Sequence, residues 1–583
     1  MASSRRLAKL GAYLRPHWRT SLSGIIALLL VNGLGVYIPL LIRNAIDKLQ
    51  VAFSFNQVVQ YALLILVLSS VMLVIRMLSR IWLFGVGRQV EFDLKQQIFQ
   101  HLLTLEPSYF AVNTAGDLIS KATSDVENIR RLLGFAVLSL FNTLFAYGLT
   151  VPVMLGINVE LTLAALAVYP LMFFLVQLFS DRLRKQQLDV QEKLSDMSEL
   201  IQEDMSGIAL IKIYAQEENE RRAFATKNQQ LLTANLQLGK TRNTLFPLIG
   251  GLANISILVI LWMGATRIAA GSLSVGDFVA LLIFVERLIF PTALLGFTIT
   301  AYQRGEVSID RIESILTVIP KIQDAPDAVN LSPQEVKGQI TAKNLSFTYP
   351  SAKTPALKNV NFTIHPGETI AIVGAIGSGK TTLANALPRL LDIDEGQLFL
   401  DGQDITKLSL TDLRGAIAYV PQDNFLFSTT IKNNIRYGDP VSEQPIVELA
   451  AKQSQIHPEI RNFPQQYKTI VGERGITLSG GQRQRTALAR ALLVDAPVLI
   501  LDDALSSVDN QTATQILNNL AGGTKRKTVV FITHQLSAAA TANRIFVIDK
   551  GEIVQTGTHS ELVRQEGLYR TLWNQHQVEE LLH

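Results

Sequence analysis

Cysteine is absent from this 583-residue sequence, which excludes disulfides, thiolate metal sites and iron–sulfur clusters built by the chain itself. Charge is also scarce. Asp, Glu, Lys and Arg make up 17% of residues against 48% hydrophobic ones, well below the usual quarter, so much of the surface does not face water. The formal net charge is only +4, so a sequence pI near 9.0 is no argument for a nucleic-acid partner. A secretory signal is not expected, because the first apolar stretch is too long for a signal core and lacks a small-residue cleavage site.

What the sequence does have is long apolar runs. Residues 24–42, 57–75, 132–159, 161–180 and 243–266 carry no charge, and a sixth run, 278–303, is interrupted only by Glu286 and Arg287. A membrane-spanning helix needs about 20 mostly apolar residues, so six spans are predicted, with a turn at 156–160 separating the third from the fourth. Arg5, Arg6, Lys9, Arg15 and Arg19 precede the first run, which places the N-terminus in the cytoplasm. Segments 88–131 and 181–242 then lie inside, where their Lys and Arg content belongs, and their helical pattern predicts spans that continue beyond the bilayer. The outer loops at 47–56 and 269–276 are short. Charge within a span is costly, so Glu286 and Arg287 read first as a polar contact between helices or chains, and second as a contact with cargo; Asn254 and Ser256 in the fifth span read in the same way.

After residue 312 the composition changes. Residues 320–337 contain Pro320, Pro326 and Pro333 among polar neighbours and read as a linker. Beyond it, β-rich runs at 338–349, 369–374, 498–501, 528–533 and 544–549 alternate with helical ones, as in a soluble α/β domain with a largely buried sheet. The expected division is a membrane domain over 1–318, a linker over 319–337 and an α/β domain over 338–583.

GAIGSGKT follows an apolar strand and opens a helix. It comprises Gly374, Ala375, Ile376, Gly377, Ser378, Gly379, Lys380 and Thr381, with Thr382 next. This is the phosphate-binding loop in its strand–loop–helix context: glycines let backbone N–H groups turn toward phosphate, Lys380 reaches the β- and γ-phosphates, and the Thr381 hydroxyl ligates magnesium. Asp502 ends the apolar run Val498–Leu501, where a carboxylate holds magnesium beside the phosphates. ATP and Mg2+ are therefore the expected ligands.

With these motifs the chain resembles the ATP-binding cassette family, specifically its exporters: six membrane helices with long cytoplasmic extensions, followed by an α/β P-loop nucleotide-binding domain. LSGGQ, with Ser479, Gly480, Gly481 and Gln482, matches the family signature. In the family it closes over ATP on an opposite domain, which implies a dimer. The resemblance further implies an adenine-stacking role for Tyr349, magnesium and water sensing for Gln422, a loop between the dimer halves for Asp509, and γ-phosphate contact for His534. Residues 116–130 and 203–218 resemble the two intracellular loops that carry a short docking helix.

One position departs from the pattern. The family's water-activating base is usually a glutamate, and here it is Asp503, shorter by one C–C bond of about 1.5 Å. Misplacement of about 1 Å costs on the order of 100-fold in rate. Heterodimeric exporters often pair such a chain, with an intact LSGGQ, with a partner that has the glutamate and an altered signature. The resemblance implies ATP-driven efflux of amphipathic or hydrophobic compounds, drugs or lipids, from a bacterial plasma membrane, by a half-transporter working in a heterodimer or a homodimer. An ATP-gated channel or regulatory subunit with weak hydrolysis is the alternative.

Overall fold

The computed structural model describes residues 9–51, 54–332, 335–350, 352–508, 510–521 and 527–582. The chain divides into two compact units, Met1–Leu103 with Thr114–Val318, and Thr104–Asn113 with Ile319–His583.

The first unit is built from six long helices, α1 (Lys9–Gln50), α2 (Phe55–Thr104), α3 (Ala115–Ile157), α4 (Val159–Ser206), α5 (Glu217–Ala269) and α6 (Val275–Leu316), each long and apolar enough to cross a membrane. At about 1.5 Å per residue, the 50 residues of α2 and the 53 of α5 run more than twice the roughly 30 Å of a hydrocarbon core. Spans therefore continue beyond the bilayer into the charged segments, as their pattern predicted. Leu63, Leu66, Val67 and Leu73 on α2 are exposed, an apolar face suited to lipid.

Helix ends are set by local chemistry. Asn158 leaves the helical region and its Oδ1 accepts from Leu161 N at 3.0 Å, so one residue ends α3 and caps α4, inside the expected turn. Asp47 near the end of α1 accepts from Gly276 N at 2.8 Å and Ser274 Oγ at 2.9 Å, tying it to the start of α6. Small residues let helices approach. A Cβ on Gly87 of α2 would lie 2.8 Å from the Arg130 carbonyl oxygen of α3, and Gly134 of α3 receives the Phe84 ring, a close contact of the kind that packs membrane helices.

Segment 116–130, which resembles an intracellular loop of the family, continues a span as its helical pattern predicted. This segment lies in α3 and faces α6: Asp117 pairs with Arg311 at 2.8 Å, and Asp125 accepts from Ser308 Oγ at 2.7 Å. Two π-helical turns, Lys121–Asp125 and Leu132–Ala136, keep the helical pattern intact in sequence while shifting its face. The short helix of this region is Pro107–Val112, upstream of the quoted motif and grouped with the second unit. In the other segment, the six-residue helix Ile208–Ile213 sits between Gly207 and Ala215 (φ 50°), with Ile208, Leu210, Ile213 and Tyr214 exposed.

The second unit holds two sheets, numbered β1 (Ile340–Phe347), β2 (Leu357–Ile364), β3 (Thr369–Gly374), β4 (Leu398–Leu400), β5 (Gln403–Asp404), β6 (Ile417–Val420), β7 (Val498–Asp502), β8 (Thr528–Ile532), β9 (Arg544–Asp549) and β10 (Glu552–Gly557). The smaller sheet has the order β2-β1-β4-β5 and is antiparallel; the larger runs β10-β9-β3-β8-β7-β6. Strands β9, β3, β8, β7 and β6 are parallel, with β10 antiparallel at one edge. All residues of β7 and β8 are buried, as the continuous apolar runs of a two-sided sheet require. Strands β2, β4, β5, β6 and β10 were not anticipated; they are short or carry polar residues.

Residues expected to form a linker are held against this unit. Val329 N donates to Lys407 O at 2.8 Å and Ser409 N donates back to Val329 O at 3.0 Å. Asp401 accepts from Lys337 N and Gln339 N, both at 2.7 Å.

Gly87→Leu drives a side chain into the Arg130 carbonyl, and overpacking of this kind costs about 1–3 kcal/mol. A lower thermal transition of the purified protein in lipid is the expected outcome; an unchanged transition would contradict the close α2–α3 contact.

Candidate nucleotide site

In an open parallel sheet, ligands bind beyond the carboxyl ends of the strands. The register of the larger sheet brings four such ends together. Loop 374–381 follows β3, Asp502 ends β7, His534 follows β8, and Gln422 follows β6. Asp502 pairs in register with Ile532, and Asp503 N donates to Ile532 O at 3.0 Å. Four chain segments far apart in sequence are held at one edge by these pairings.

The loop conformation needs its glycines. Gly374, Gly377 and Gly379 have φ of 154°, 78° and 106°. A Cβ on Gly374 would lie 2.1 Å from Ile548 O, and one on Gly379 2.5 Å from Ala356 O, whereas beside Gly377 nothing comes within 4 Å. Lys380 begins the next helix, α7 (Lys380–Ala386), and its Nζ folds back to donate to the Gly374 and Ala375 carbonyls at 2.9 and 2.8 Å.

A cavity of about 290 Å³ opens over this loop, lined by Tyr349, Ile376, Gly377, Ser378, Gly379, Lys380, Thr381, Thr382, Gln422, Asp502, Asp503 and His534. Gly374 and Ala375 contribute carbonyls behind it. Tyr349 stands edge-on to Phe347 at 5.0 Å, and its hydroxyl lies 3.3 Å from Thr382 Oγ1.

Thr381 Oγ1 donates to Asp502 Oδ1 at 3.2 Å, and the Asp502 side chain is fully buried. Burial raises the Asp502 pKa, against hydrogen bonds from Thr381 and Tyr419 that lower it. Burial also raises Asp503, against His534, and lowers Lys380, against the charges of Asp503 and Asp502. Two acids and a lysine thus share a poorly solvated space in which each needs the other's charge.

Two buried polar atoms at this cavity, Ser378 Oγ and Asp503 Oδ1, have no hydrogen-bond partner. Such atoms call for a ligand or water. Among the described residues no cluster of three acidic or histidine side chains could cage a metal. The hydroxyl and carboxylate of Thr381 and Asp502 nevertheless suit magnesium, which takes one or two protein oxygens and completes its shell with phosphates and water.

Asp503 has φ 50°, in the left-handed region that Asp tolerates better than most side chains. Ser506 Oγ and Gln484 Nε2 donate to its carbonyl at 3.0 and 3.4 Å. Gln484 also accepts from Ser507 N at 2.8 Å. The sequence reading missed Gln484, whose only signal was its place two residues after the signature motif, and Tyr419, whose hydroxyl reaches Asn385 Oδ1 at 2.8 Å and Asp502 Oδ2 at 3.4 Å.

Ser479, Gly480, Gly481 and Gln482 do not line the cavity. Ser479 caps helix α8 (Gly480–Leu493) in a reciprocal box with Gln482. Gly481 packs where a Cβ would lie 2.7 Å from Ser507 O. Asp509 lies outside the described residues.

The family described as "ABC transporter transmembrane region" matches residues 22–292, and that described as "ABC transporter" matches 357–506. The chain is 32% identical over 574 residues, 98% of each protein, to the probable multidrug resistance ABC transporter ATP-binding/permease protein YheI of Bacillus subtilis. It is 32% identical over 581 residues to the multidrug resistance-like ATP-binding protein MdlA of Escherichia coli, covering 99% of this chain and 98% of that one. Identity is 33% to the ATP-dependent lipid A-core flippase of Syntrophus aciditrophicus, over 97% of this chain and 93% of that one. Among solved structures, a bacterial Atm1-family ABC exporter with ATP bound superposes with a TM-score of 0.77 at 25% identity, covering 96% of this chain and 99% of that one.

Gly379→Ala places a methyl against the Ala356 carbonyl and strains the backbone. Binding of a fluescent ATP analogue is expected to weaken by more than about tenfold, the equivalent of 1.4 kcal/mol, with the fold retained by circular dichroism. Unaltered binding would show that the loop does not hold the phosphates.

Proposed function

The chain belongs to the ABC transporter family as an exporter carrying membrane and ATP-binding halves in one polypeptide, and from that premise we propose how its residues divide the work. It is an integral membrane protein that couples ATP hydrolysis to export. We assign the membrane domain to 1–318, the connecting segment to 319–337 and the nucleotide-binding domain to 338–583. The N-terminus and the nucleotide-binding domain face the cytoplasm of a bacterial plasma membrane, a reading supported by Arg15 and Arg19 ahead of the first apolar run.

Lys380 leaves the Gly374 and Ala375 carbonyls to bind the β- and γ-phosphates, and loop amides cradle the phosphate chain. Tyr349 offers its ring to the base. Thr381 and Asp502, with Gln422 at the same cavity, would hold Mg2+, which neutralises charge on the β- and γ-phosphates. Asp503 takes the proton of the attacking water, Gln422 orients that water, and His534 donates toward the γ-phosphate. Ser479, Gly480, Gly481 and Gln482, with Asp509, serve the nucleotide of a second chain; that the four signature residues stand apart from the cavity in their own chain supports this. The exposed apolar helix Ile208–Ile213 docks on a nucleotide-binding domain and carries its motion to the spans. Cargo is an amphipathic or hydrophobic compound, drug or lipid.

The chain is the aspartate-bearing half of a heterodimer, in which its own site binds ATP and hydrolyses it slowly. The observation that carries this is Asp503 Oδ1, buried at the cavity without a partner on a side chain one carbon shorter than the usual base. Steady-state ATP hydrolysis by the chain alone in lipid tests it. Near-zero turnover by folded, ATP-binding protein is expected, together with a rise on the order of 100-fold in Asp503→Glu; brisk turnover that disappears in Lys380→Ala would instead establish a competent homodimer.

Protonation gives a second test. Asp503 accepts a proton only when ionised, and burial raises its pKa above the ordinary carboxylate value of about 4. Residual single-turnover hydrolysis should therefore fall with acid at a higher pH than an unperturbed aspartate would give, and Asp503→Asn should abolish it.

A further inference from the structure

We propose that the membrane unit binds an anionic amphipath, a compound with a phosphate, sulfonate or carboxylate head on an apolar tail, through Arg287, Arg76 and Arg80. The cavity that carries this inference has a volume of about 410 Å³, lies within one chain, and is lined by α1, α2, α3 and α6. Its walls are apolar side chains such as Leu28, Phe84 and Phe290, set with three arginines and no carboxylate. None of the three arginines makes an ion pair among the described residues.

Arg287 stands 12 residues into α6, counted from Val275, well inside the span. Charge at that depth is expensive and is retained where a partner or a wet cavity compensates it. Its protein partners are neutral oxygens only: Nη2 donates to Asn32 Oδ1 at 3.0 Å and to Asn32 O at 3.2 Å. Asn32 is itself oriented for this, because its Nδ2 donates to Leu28 O at 2.9 Å and to Asn142 Oδ1 at 3.2 Å, leaving the amide oxygen for the guanidinium. Gly35 completes the slot, since a Cβ there would lie 1.4 Å from Arg287 Nη1. The guanidinium is therefore positioned by design of three residues yet left without a counter-charge. Glu286, its neighbour in sequence, is exposed and does not line the cavity, so the two charges do not cancel.

A second cavity, of about 430 Å³, shares Phe135 with the first and repeats the pattern with Arg131, Arg184, Arg242 and Arg304. Among the described residues only Arg131 of these has an acidic partner, Glu127. One sign of charge along both cavities favours an anion and disfavours a cation. Apolar walls add affinity for a tail, so a free inorganic anion satisfies only half of the site.

The inference rests on the exporter reading only in calling the occupant cargo; the binding does not depend on it. Equilibrium binding of dodecyl phosphate to the full chain, without nucleotide, in phosphatidylcholine nanodiscs tests it, with dodecyltrimethylammonium as the cationic counterpart and inorganic phosphate as the tail-less one. Saturable binding of dodecyl phosphate is expected, weakened about tenfold or more in Arg76→Gln and in Arg287→Gln. Arg287→Lys should largely restore it, which separates lost charge from lost folding. Displacement by phosphatidylglycerol built into the discs would identify a bilayer lipid as the source of the anionic group; its failure to displace would assign the site to a soluble amphipath. Equal binding of the cationic counterpart, displacement by inorganic phosphate alone, or unchanged binding in both glutamine variants would overturn the proposal. ATP hydrolysis measured on the same samples keeps the exporter reading under separate test.

Discussion

The nucleotide site depends on the parallel register of β3, β8 and β7. Those strands are buried on both faces, so their side chains contribute about 1.5–3 kcal/mol each and a slip by one residue would turn each pair toward the wrong layer. With that register held, the carboxyl ends of the strands are held too. Asp502 arrives beside Thr381, Asp503 bonds to the Ile532 carbonyl, and His534 is carried to the same cavity. The cost falls on the charged groups, which burial pushes toward neutrality. A phosphate chain and a divalent cation would supply the countercharges that water no longer does.

The membrane unit shows the same economy of charge in another solvent. Where acids and bases meet within it, as at Asp117–Arg311 and Asp125–Arg311, they fasten helix to helix. Where Arg76, Arg80 and Arg287 face their cavity, none has an acid as partner among the described residues. In a low-dielectric setting an unmatched cation is tolerated when backbone and amide oxygens hold it, which is what Asn32 does for Arg287. Glycines at 35 and 87 matter for what they leave out. One admits a guanidinium and the other a neighbouring helix backbone.

Much of this was legible from sequence. The phosphate loop was read from the sequence because its chemistry is contiguous: eight residues, one strand before and one helix after. Asp502 was found because it ends an apolar strand beside a phosphate loop, whereas the roles of Asp503 and His534 came from the family resemblance. Tyr419 and Gln484 were missed. A tyrosine inside a strand and a glutamine on a helix have no distinguishing local pattern, and their contacts are made across 83 and 22 positions. Residues 116–130 continue a span, as their helical pattern suggested, while the short helix Pro107–Val112 lies upstream of the motif that resembles the family's loop. The segment 320–337 has a linker's composition, yet the backbone of Val329 and the carboxylate of Asp401 hold it to the nucleotide unit through hydrogen bonds that composition does not encode.

Sequence by itself determined six helices long and apolar enough to span a membrane and a loop able to hold phosphate, since hydropathy, periodicity and glycine spacing are local quantities. Only the tertiary structure decided that the signature residues stand away from the chain's own cavity, that Glu286 and Arg287 point to different surroundings, and that Arg76, Arg80 and Arg287 share a cavity with no acidic partner among the described residues. Those facts depend on which side chains meet across distant helices and strands, and that is settled by packing and register.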